Sequence, residues 1–156
     1  MLLKGSCHCK SVSFEVESPH PYPFNYCYCS ICRKTAGGGG YAINLGASYG
    51  TLKVDGQQDT SVYHADVDGQ KTLPDRVFCK HCGSALWVYD ERWPELVHPF
   101  ASAIDTELPK PPERTHLMLD SKATWVEVEA REHDKCFVEY PNESIARWHA
   151  RLNLTD

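Results

Sequence analysis

Short runs in which hydrophobic and polar residues alternate dominate the chain. Ser11–Val16 alternates strictly, as expected for a strand with one buried face. Further strands are predicted over residues 41–45, 51–54 and 61–64. The dipeptides Asp55-Gly56 and Asp68-Gly69 are turn signals between or after these runs. The pattern is typical of a small β protein.

Five other segments predict strands of less regular pattern. Tyr22–Tyr26 is aromatic and contains prolines, which favour an edge or irregular strand. Arg76–Phe78 and Ala85–Tyr89 flank a Cys-x-x-Cys turn, and two strands joined by such a turn form a zinc knuckle. Later strands are predicted over residues 95–103 and 124–128, separated by a proline-rich loop.

Helical periodicity is confined to the end of the chain. Asn142 can cap a helix over about residues 142–152, in which Ile145, Trp148 and Leu152 recur at spacings of three and four. The chain has no internal repeat and no linker-like segment. Residues 1–156 are therefore predicted to form a single, mainly β domain of antiparallel sheets with a short C-terminal helix.

Composition narrows the partners and the compartment. The 156 residues suit one domain, and 42% of them are hydrophobic, enough to bury a core. A net charge of −5 without clustered Lys or Arg argues against nucleic acid. No run approaches the roughly 18 apolar residues of a membrane span, which argues against a membrane. The start of the chain does not resemble an export signal, so the cytoplasm is predicted, with the nucleus as an alternative.

Seven of the eight cysteines fall into three tight clusters: Cys7-x-Cys9, Cys27-x-Cys29-x-x-Cys32 and Cys79-x-x-Cys82. Short turns point such sulfurs in one direction. In a reducing compartment these pairs are typical of metal ligands, with disulfides as the alternative. Because a tetrahedral zinc takes about four ligands, seven sulfurs divide into four plus three.

The two sets differ in their chemistry. The first and third clusters supply two pairs that can close a four-thiolate site, with iron as the alternative metal. The middle cluster supplies three ligands and leaves one position on a tetrahedral zinc for a substrate. A protein side chain could instead fill that position, and the candidates are His8, His20, His81, His98, His116 and Cys136.

These motifs resemble the glutathione-dependent formaldehyde-activating enzyme family, also called the GFA or CENP-V/GFA domain. The family pattern opens with Gly-x-Cys-x-Cys, here Gly5–Cys9, and continues with Cys-x-Cys-x-x-Cys-Arg, here Cys27–Arg33. It ends with Cys-x-x-Cys-Gly, here Cys79–Gly83. The resemblance covers about residues 4–128 and leaves a C-terminal extension to which no function is carried over.

The resemblance implies an Mss4-like fold of twisted sheets with two Zn²⁺ ions per chain. The implied ligands of the structural zinc are Cys7, Cys9, Cys79 and Cys82. Those of the catalytic zinc are Cys27, Cys29 and Cys32. The implied activity is that of a zinc-dependent carbon–sulfur lyase, which forms S-hydroxymethylglutathione from glutathione and formaldehyde or cleaves it. The expected partners are thus a small-molecule thiol and a small aldehyde, with self-association left open.

Candidate contacts to such a substrate directly follow Cys32, the third cysteine of the implied catalytic site. Arg33 and Lys34 could pair with a carboxylate of glutathione, or could be an ordinary solvated basic pair. Gly38 and Gly39, within a run of four glycines, could let the backbone approach a ligand closely, or could form a flexible loop.

Two other kinds of function are compatible with the same cysteines. A binding module would capture thiols at the open zinc position without turnover. A zinc-stapled interaction domain would use both metals only for stability. The negative net charge and the lack of a long basic extension disfavour attachment to chromatin or microtubules.

Overall fold

The computed structural model of the protein describes residues 1–154 and contains fourteen short strands and two short helices within them. The strands are β1 (Leu2–Ser6), β2 (Ser13–Glu17), β3 (Phe24–Cys27), β4 (Ala42–Asn44), β5 (Ala47–Ser48), β6 (Lys53–Asp55), β7 (Thr60–Tyr63), β8 (Asp66–Val67), β9 (Gln70–Lys71), β10 (Asp75–Cys79), β11 (Ala85–Tyr89), β12 (Leu96–Pro99), β13 (Arg114–Leu117) and β14 (Lys135–Cys136). The helices are α1 (Ser30–Ala36) and α2 (Ile145–Arg151).

The strands form four sheets. Their orders are β1-β2-β6, β5-β12-β11-β10-β7, β14-β13-β3-β4 and the hairpin β8-β9. Pairing is antiparallel except in the third sheet, where β13 runs parallel to both β3 and β14. The predicted mainly β fold with cysteine turns and a short C-terminal helix is confirmed.

The larger core lies between the first two sheets. Phe14 and Val16 of β2 are buried and alternate with more exposed neighbours, as the sequence pattern predicts. Phe14 meets Trp87 of β11 with ring centroids 5.1 Å apart. Each large apolar side chain buried in this way contributes roughly 1.5–3 kcal/mol to folding. This core fixes the positions of β1 and β10, from which one set of cysteines projects.

A second core lies at the end of the third sheet. Cys27 and Cys32 are buried there against Ala42, Val88 and Phe100. Because these apolar neighbours belong to β4, β11 and the segment after β12, they hold the cysteine segment against two sheets at once.

Four predictions about elements were wrong. Helix α1 was missed, although it contains Cys32. The segment 22–26 is not an edge strand, since β3 lies between β13 and β4; its prolines precede the strand and leave the ladder intact. Residues 124–128 form a turn and a loop, not a strand. Helix α2 begins at Ile145 and is capped by Ser144, not by Asn142, because the Ser144 side chain accepts from Arg147 N.

The C-terminal helix packs against the rest of the domain through Trp148, which is buried. Trp148 Nε1 donates to Glu113 Oε1 at 2.9 Å, and Arg151 forms two hydrogen bonds with the same carboxylate. Among residues 1–154, no helix has the length and apolar character required to cross a membrane.

Candidate functional site

The four-cysteine cluster joins the ends of two strands that are far apart in sequence. Cys7 directly follows β1, and Cys79 ends β10. The Sγ atoms of Cys7 and Cys9 are 3.6 Å apart, and those of Cys9 and Cys79 are 3.7 Å apart. With Cys82, all four sulfurs lie within 4.8 Å of one another. Tetrahedral zinc with bonds of about 2.3 Å places its sulfurs about 3.8 Å apart, so this donor set fits the ion.

Neighbouring polar groups favour thiolates in this cluster. Val12 N donates to Cys7 Sγ at 3.3 Å, and the Ser84 hydroxyl lies 3.2 Å from Cys82 Sγ. The Ser84 hydroxyl is the main cause that lowers the pKa of Cys82 to about 5. Burial, in contrast, raises the pKa of Cys79 to about 11. A cation among the sulfurs would allow the buried thiols to ionise as well.

The three-cysteine cluster is built by a strand that runs into a helix. Cys27 ends β3, Cys29 is the N-cap of α1, and Cys32 lies in its first turn. Cys32 N donates to Cys29 Sγ at 3.3 Å, so this sulfur takes the place of a capping oxygen. The three sulfurs lie within 4.8 Å of one another, and Cys29 is the most exposed of them. The cluster fits zinc as well.

The cysteines of this cluster differ strongly in pKa. Hydrogen bonds with Cys27 and Cys32 lower the pKa of Cys29 to about 2. The Cys29 side chain in turn raises the pKa of Cys27. Three thiols this close cannot all lose their protons without a cation between them, whereas one thiolate is stabilised by its two neighbours.

Arg76 belongs to the site and was missed in the sequence. Its two terminal nitrogens lie 3.7 and 3.8 Å from Cys32 Sγ, close enough to donate weak hydrogen bonds to sulfur. Arg76 comes from β10, which ends in Cys79 of the other cluster. No motif connects Arg76 with Cys32, because the contact depends on how two sheets pack.

No histidine, acidic residue or further cysteine joins the three sulfurs among residues 1–154. The six alternative ligands lie elsewhere in the structure. His81 bonds to Asp59 at 2.7 Å, the Nδ1 of His98 lies 3.0 Å from Leu45 O, and that of His116 lies 2.9 Å from the Tyr28 hydroxyl. His8 belongs to the turn of the four-cysteine cluster, while His20 and Cys136 are outside both clusters.

The residues predicted for substrate contact follow the cluster along α1. Arg33 is partly buried and its Nε has no hydrogen-bond partner, while Lys34 is exposed. Gly38 and Gly39 are exposed, and no backbone atom lies close to their Cα hydrogens. The flanking glycine Gly40 has φ +93°, and a Cβ there would collide with Val126. Only the two middle glycines therefore present open backbone.

A groove of about 590 Å³ borders the four-cysteine cluster. Cys7 and Ser84 line one part of it, and Ala36 and Ala85 line another. The two alanines also pack against the second core, which contains Cys27 and Cys32. The groove thus lies between the end of α1 and the four-cysteine turn.

The segment 137–140 borders the three-cysteine cluster on another side. Met118, which packs against the second core with Cys27 and Cys32, donates its N–H to Glu139 O at 2.8 Å. The next residue, Tyr140, is 75% exposed. Partial desolvation, followed by the thiols of all three cysteines, raises the pKa of Tyr140. The sequence carried no signal for this residue, which lies in the C-terminal extension.

Sheets joined at two cysteine clusters define a small β protein built around cysteine turns that could hold metal ions. The model of the glutathione-dependent formaldehyde-activating enzyme family matches residues 2–120. The chain belongs to that family, as its cysteine motifs predicted.

Two relatives place the chain more closely. It is 67% identical over 156 residues to a Halomonas elongata protein, provisionally named a glutathione-dependent formaldehyde-activating enzyme. That match covers the whole of this chain and 99% of the relative. The crystal structure of a Rhodobacter sphaeroides protein is similar with a TM-score of 0.54 and 26% identity, covering 68% of this chain and 91% of that one.

Proposed function

We propose that this protein is a zinc-dependent carbon–sulfur lyase that joins a thiol such as glutathione to formaldehyde, or separates them. The observation that carries the proposal is the set of three convergent sulfurs that no fourth protein ligand completes among residues 1–154. The family membership and the name of the Halomonas relative support this choice of substrates.

Zinc bound by Cys27, Cys29 and Cys32 would lower the pKa of an incoming thiol and hold its thiolate. The cysteines carry formal charge −3, and the Arg76 guanidinium at Cys32 offsets part of it. Cys29 is the most exposed of the three cysteines, so the substrate sulfur would enter on its side. A thiolate held there would form a bond to the carbonyl carbon while the π electrons of the carbonyl move to oxygen.

The oxygen of the new adduct needs a proton. Partial desolvation raises the pKa of Tyr140, and the residue is near enough to all three cysteines for their charges to raise it further. A phenol is protonated at neutral pH even without such a shift. We assign the hydroxyl of Tyr140 as the group that donates to the developing oxyanion, and solvent then restores its proton. In the reverse direction solvent takes the phenol proton, and the phenolate oxygen then accepts the proton of the adduct hydroxyl.

The rest of a tripeptide thiol requires a longer site. The groove at the end of α1 has room for such a ligand, and its wall residues Ala36 and Ala85 also pack against the core that contains Cys27 and Cys32. The unpartnered Nε of Arg33 and the exposed ammonium of Lys34 belong to the same helix, and the open backbone of Gly38 and Gly39 follows it. These four residues remain the proposed substrate contacts, with the basic pair meeting carboxylates.

The four-cysteine cluster has a different proposed role. Four sulfurs saturate a tetrahedral metal, and Cys7 and Cys79 are fully buried. The cluster therefore has no free position for a substrate, and we assign it to stabilising the junction of β1 with β10.

The test of function is the rate at which thiol is consumed after glutathione and formaldehyde are mixed, measured against the uncatalysed reaction. The zinc-loaded protein is expected to accelerate adduct formation, whereas Cys29→Ser is expected to return the rate to background. Tyr140→Phe should reduce the acceleration about tenfold or more, since a positioned proton donor contributes at least that much.

Tyr49→Phe is the matched control, because Tyr49 stacks on Tyr89 in a different sheet and contacts neither cluster. Its rate should equal that of the unaltered protein. A zinc-loaded protein that does not change the rate in either direction would rule out the lyase and favour a module that only binds thiols.

A further inference from the structure

A chain of buried polar side chains begins between two of the three clustered cysteines. Tyr28 lies between Cys27 and Cys29, is 2% exposed, and its hydroxyl is 2.9 Å from Nδ1 of His116. His116 is 1% exposed, and burial lowers the pKa of its imidazole, so the ring is neutral. The proposed lyase reaction uses neither residue.

The other side of the His116 ring faces an acid. Nε2 of His116 has no hydrogen-bond partner among the described residues, but it faces Oδ2 of Asp134 at 3.5 Å, an electrostatic contact. A carboxylate only accepts, which assigns the ring proton to Nε2. The Tyr28 hydroxyl is then the donor to Nδ1.

Asp134 is itself fixed on several sides. Its side chain is fully buried and accepts from the backbone N–H and the Nε of Arg114, at 2.8 and 2.7 Å. Arg131 N also donates to it at 2.8 Å. These bonds hold the carboxylate in one place although it lies in an otherwise irregular segment.

Aromatic rings enclose the same chain of groups. The Tyr26 ring lies 5.0 Å from the His116 ring, and the Tyr41 ring lies 5.2 Å from the Tyr28 ring. Movement of Tyr28 would therefore require either loss of the bond to His116 or displacement of its neighbours.

Asp134 and Arg131 lie beyond residue 120, where the family match ends. The extension enters the site sheet directly, since Lys135 and Cys136 of β14 pair with Thr115 and His116 of β13. The Halomonas relative covers the whole chain and so includes this segment. The extension is thus part of the wall behind the three cysteines.

We propose that Tyr28, His116 and Asp134 form a positioning relay, through which the C-terminal extension fixes the Cys27–Cys29 segment in its metal-binding geometry. The relay acts on the backbone that carries two ligands, because Tyr28 cannot shift without moving both. Removing the hydroxyl leaves Nδ1 of a buried ring without a donor and frees the segment. Residues that orient metal ligands typically change metal affinity by about 10–100-fold.

The test is metal affinity at each cluster of the full chain, measured with zinc and with cobalt against a competing chelator. Tyr28→Phe retains the ring and removes only the hydroxyl. We expect about tenfold or greater loss of affinity at the three-cysteine cluster, a changed cobalt spectrum there, and less than a twofold change at the four-cysteine cluster. Tyr49→Phe should leave both affinities unchanged.

Asp134→Asn preserves the shape of the acid and serves as the second variant if Tyr28→Phe does not fold. It should show the same selective loss, because a neutral amide attracts the Nε2–H of His116 less strongly than the carboxylate does. Unchanged affinity in either folded variant would overturn the relay, as would equal losses at both clusters, which indicate general destabilisation.

The relay matters for catalysis only if the proposed lyase function is correct. The relay and the lyase function can nevertheless fail separately. Selective loss of metal in Tyr28→Phe, together with an unaltered protein that does not accelerate the thiol reaction, would leave the relay standing and overturn the lyase. Lyase activity with no effect of Tyr28→Phe on metal affinity would do the reverse.

Discussion

At the scale of single residues, His98 makes the fold sensitive to acid. Its Nδ1–H donates to Leu45 O, and burial lowers the pKa of the imidazole. As pH falls below the unfolded value of about 6.5, the unfolded chain takes up this proton first. The stability that the neutral ring provides is therefore complete above about pH 6.5 and is lost as pH falls towards the lowered folded pKa.

His98→Asn tests this dependence, since the amide can retain the hydrogen bond but cannot titrate. Between pH 7 and pH 5.5, we expect the unaltered protein to lose more free energy of unfolding than the variant, by at most about 1.4 kcal/mol per pH unit. Denaturant unfolding at each pH measures the difference. Both proteins have the same cysteines, so acid release of metal cancels, and parallel pH profiles would contradict the expectation.

Sequence reasoning predicted the candidate metal ligands but not the side chains that contact them. Cysteine pairs spaced by one or two residues are easily recognised in a sequence. All seven clustered sulfurs converge into two groups, as their spacing predicts. Arg76 is 44 residues away from the sulfur it contacts, and nothing in its neighbourhood differs from an ordinary strand. Such contacts depend on how the sheets pack, which the local pattern of hydrophobic and polar residues does not predict.

At the scale of elements, the two cysteine clusters use different local structure. The four-cysteine cluster connects two strands, whereas the three-cysteine cluster connects a strand to a helix of seven residues. That helix was missed because Ser30–Ala36 is too short for a periodic apolar face, and its buried residue is Cys32 of the three-cysteine cluster. Residues 124–128 were mistaken for a strand because Val126 is buried against Gly40 without pairing to a neighbour.

Substitution of one ligand in each cluster separates their roles. Cys79→Ser should reduce the free energy of unfolding by roughly 3 kcal/mol or more, because a structural zinc site contributes directly to folding. Cys29→Ser should cost less than about 1 kcal/mol while removing one zinc, since Cys29 is partly exposed. Thermal unfolding and elemental analysis measure both, with Cys136→Ser as control, and equal losses of stability would indicate two structural sites.

At the scale of the whole molecule, long-range pairing completes the candidate site. The parallel pair of β3 with β13 aligns Cys27 with Leu117, ninety residues apart in sequence. Parallel strands need a long connection, which here contains most of the other sheets. Hydrophobic pattern predicted many of the strands and the mainly β class, but gave no information on this pairing or on the addition of β14 by the extension.

The proposed lyase activity requires that a metal ion at the three-cysteine cluster has one ligand position that exchanges. With cobalt in both clusters, glutathione should bind as a thiolate, release about one proton and intensify the thiolate-to-metal charge-transfer absorption. S-methylglutathione retains both carboxylates but has no ionisable thiol, so it should bind more weakly and leave the spectrum unchanged. If glutathione and its S-methyl form leave the spectrum equally unchanged, the three-cysteine site is closed and the proposed lyase activity is contradicted.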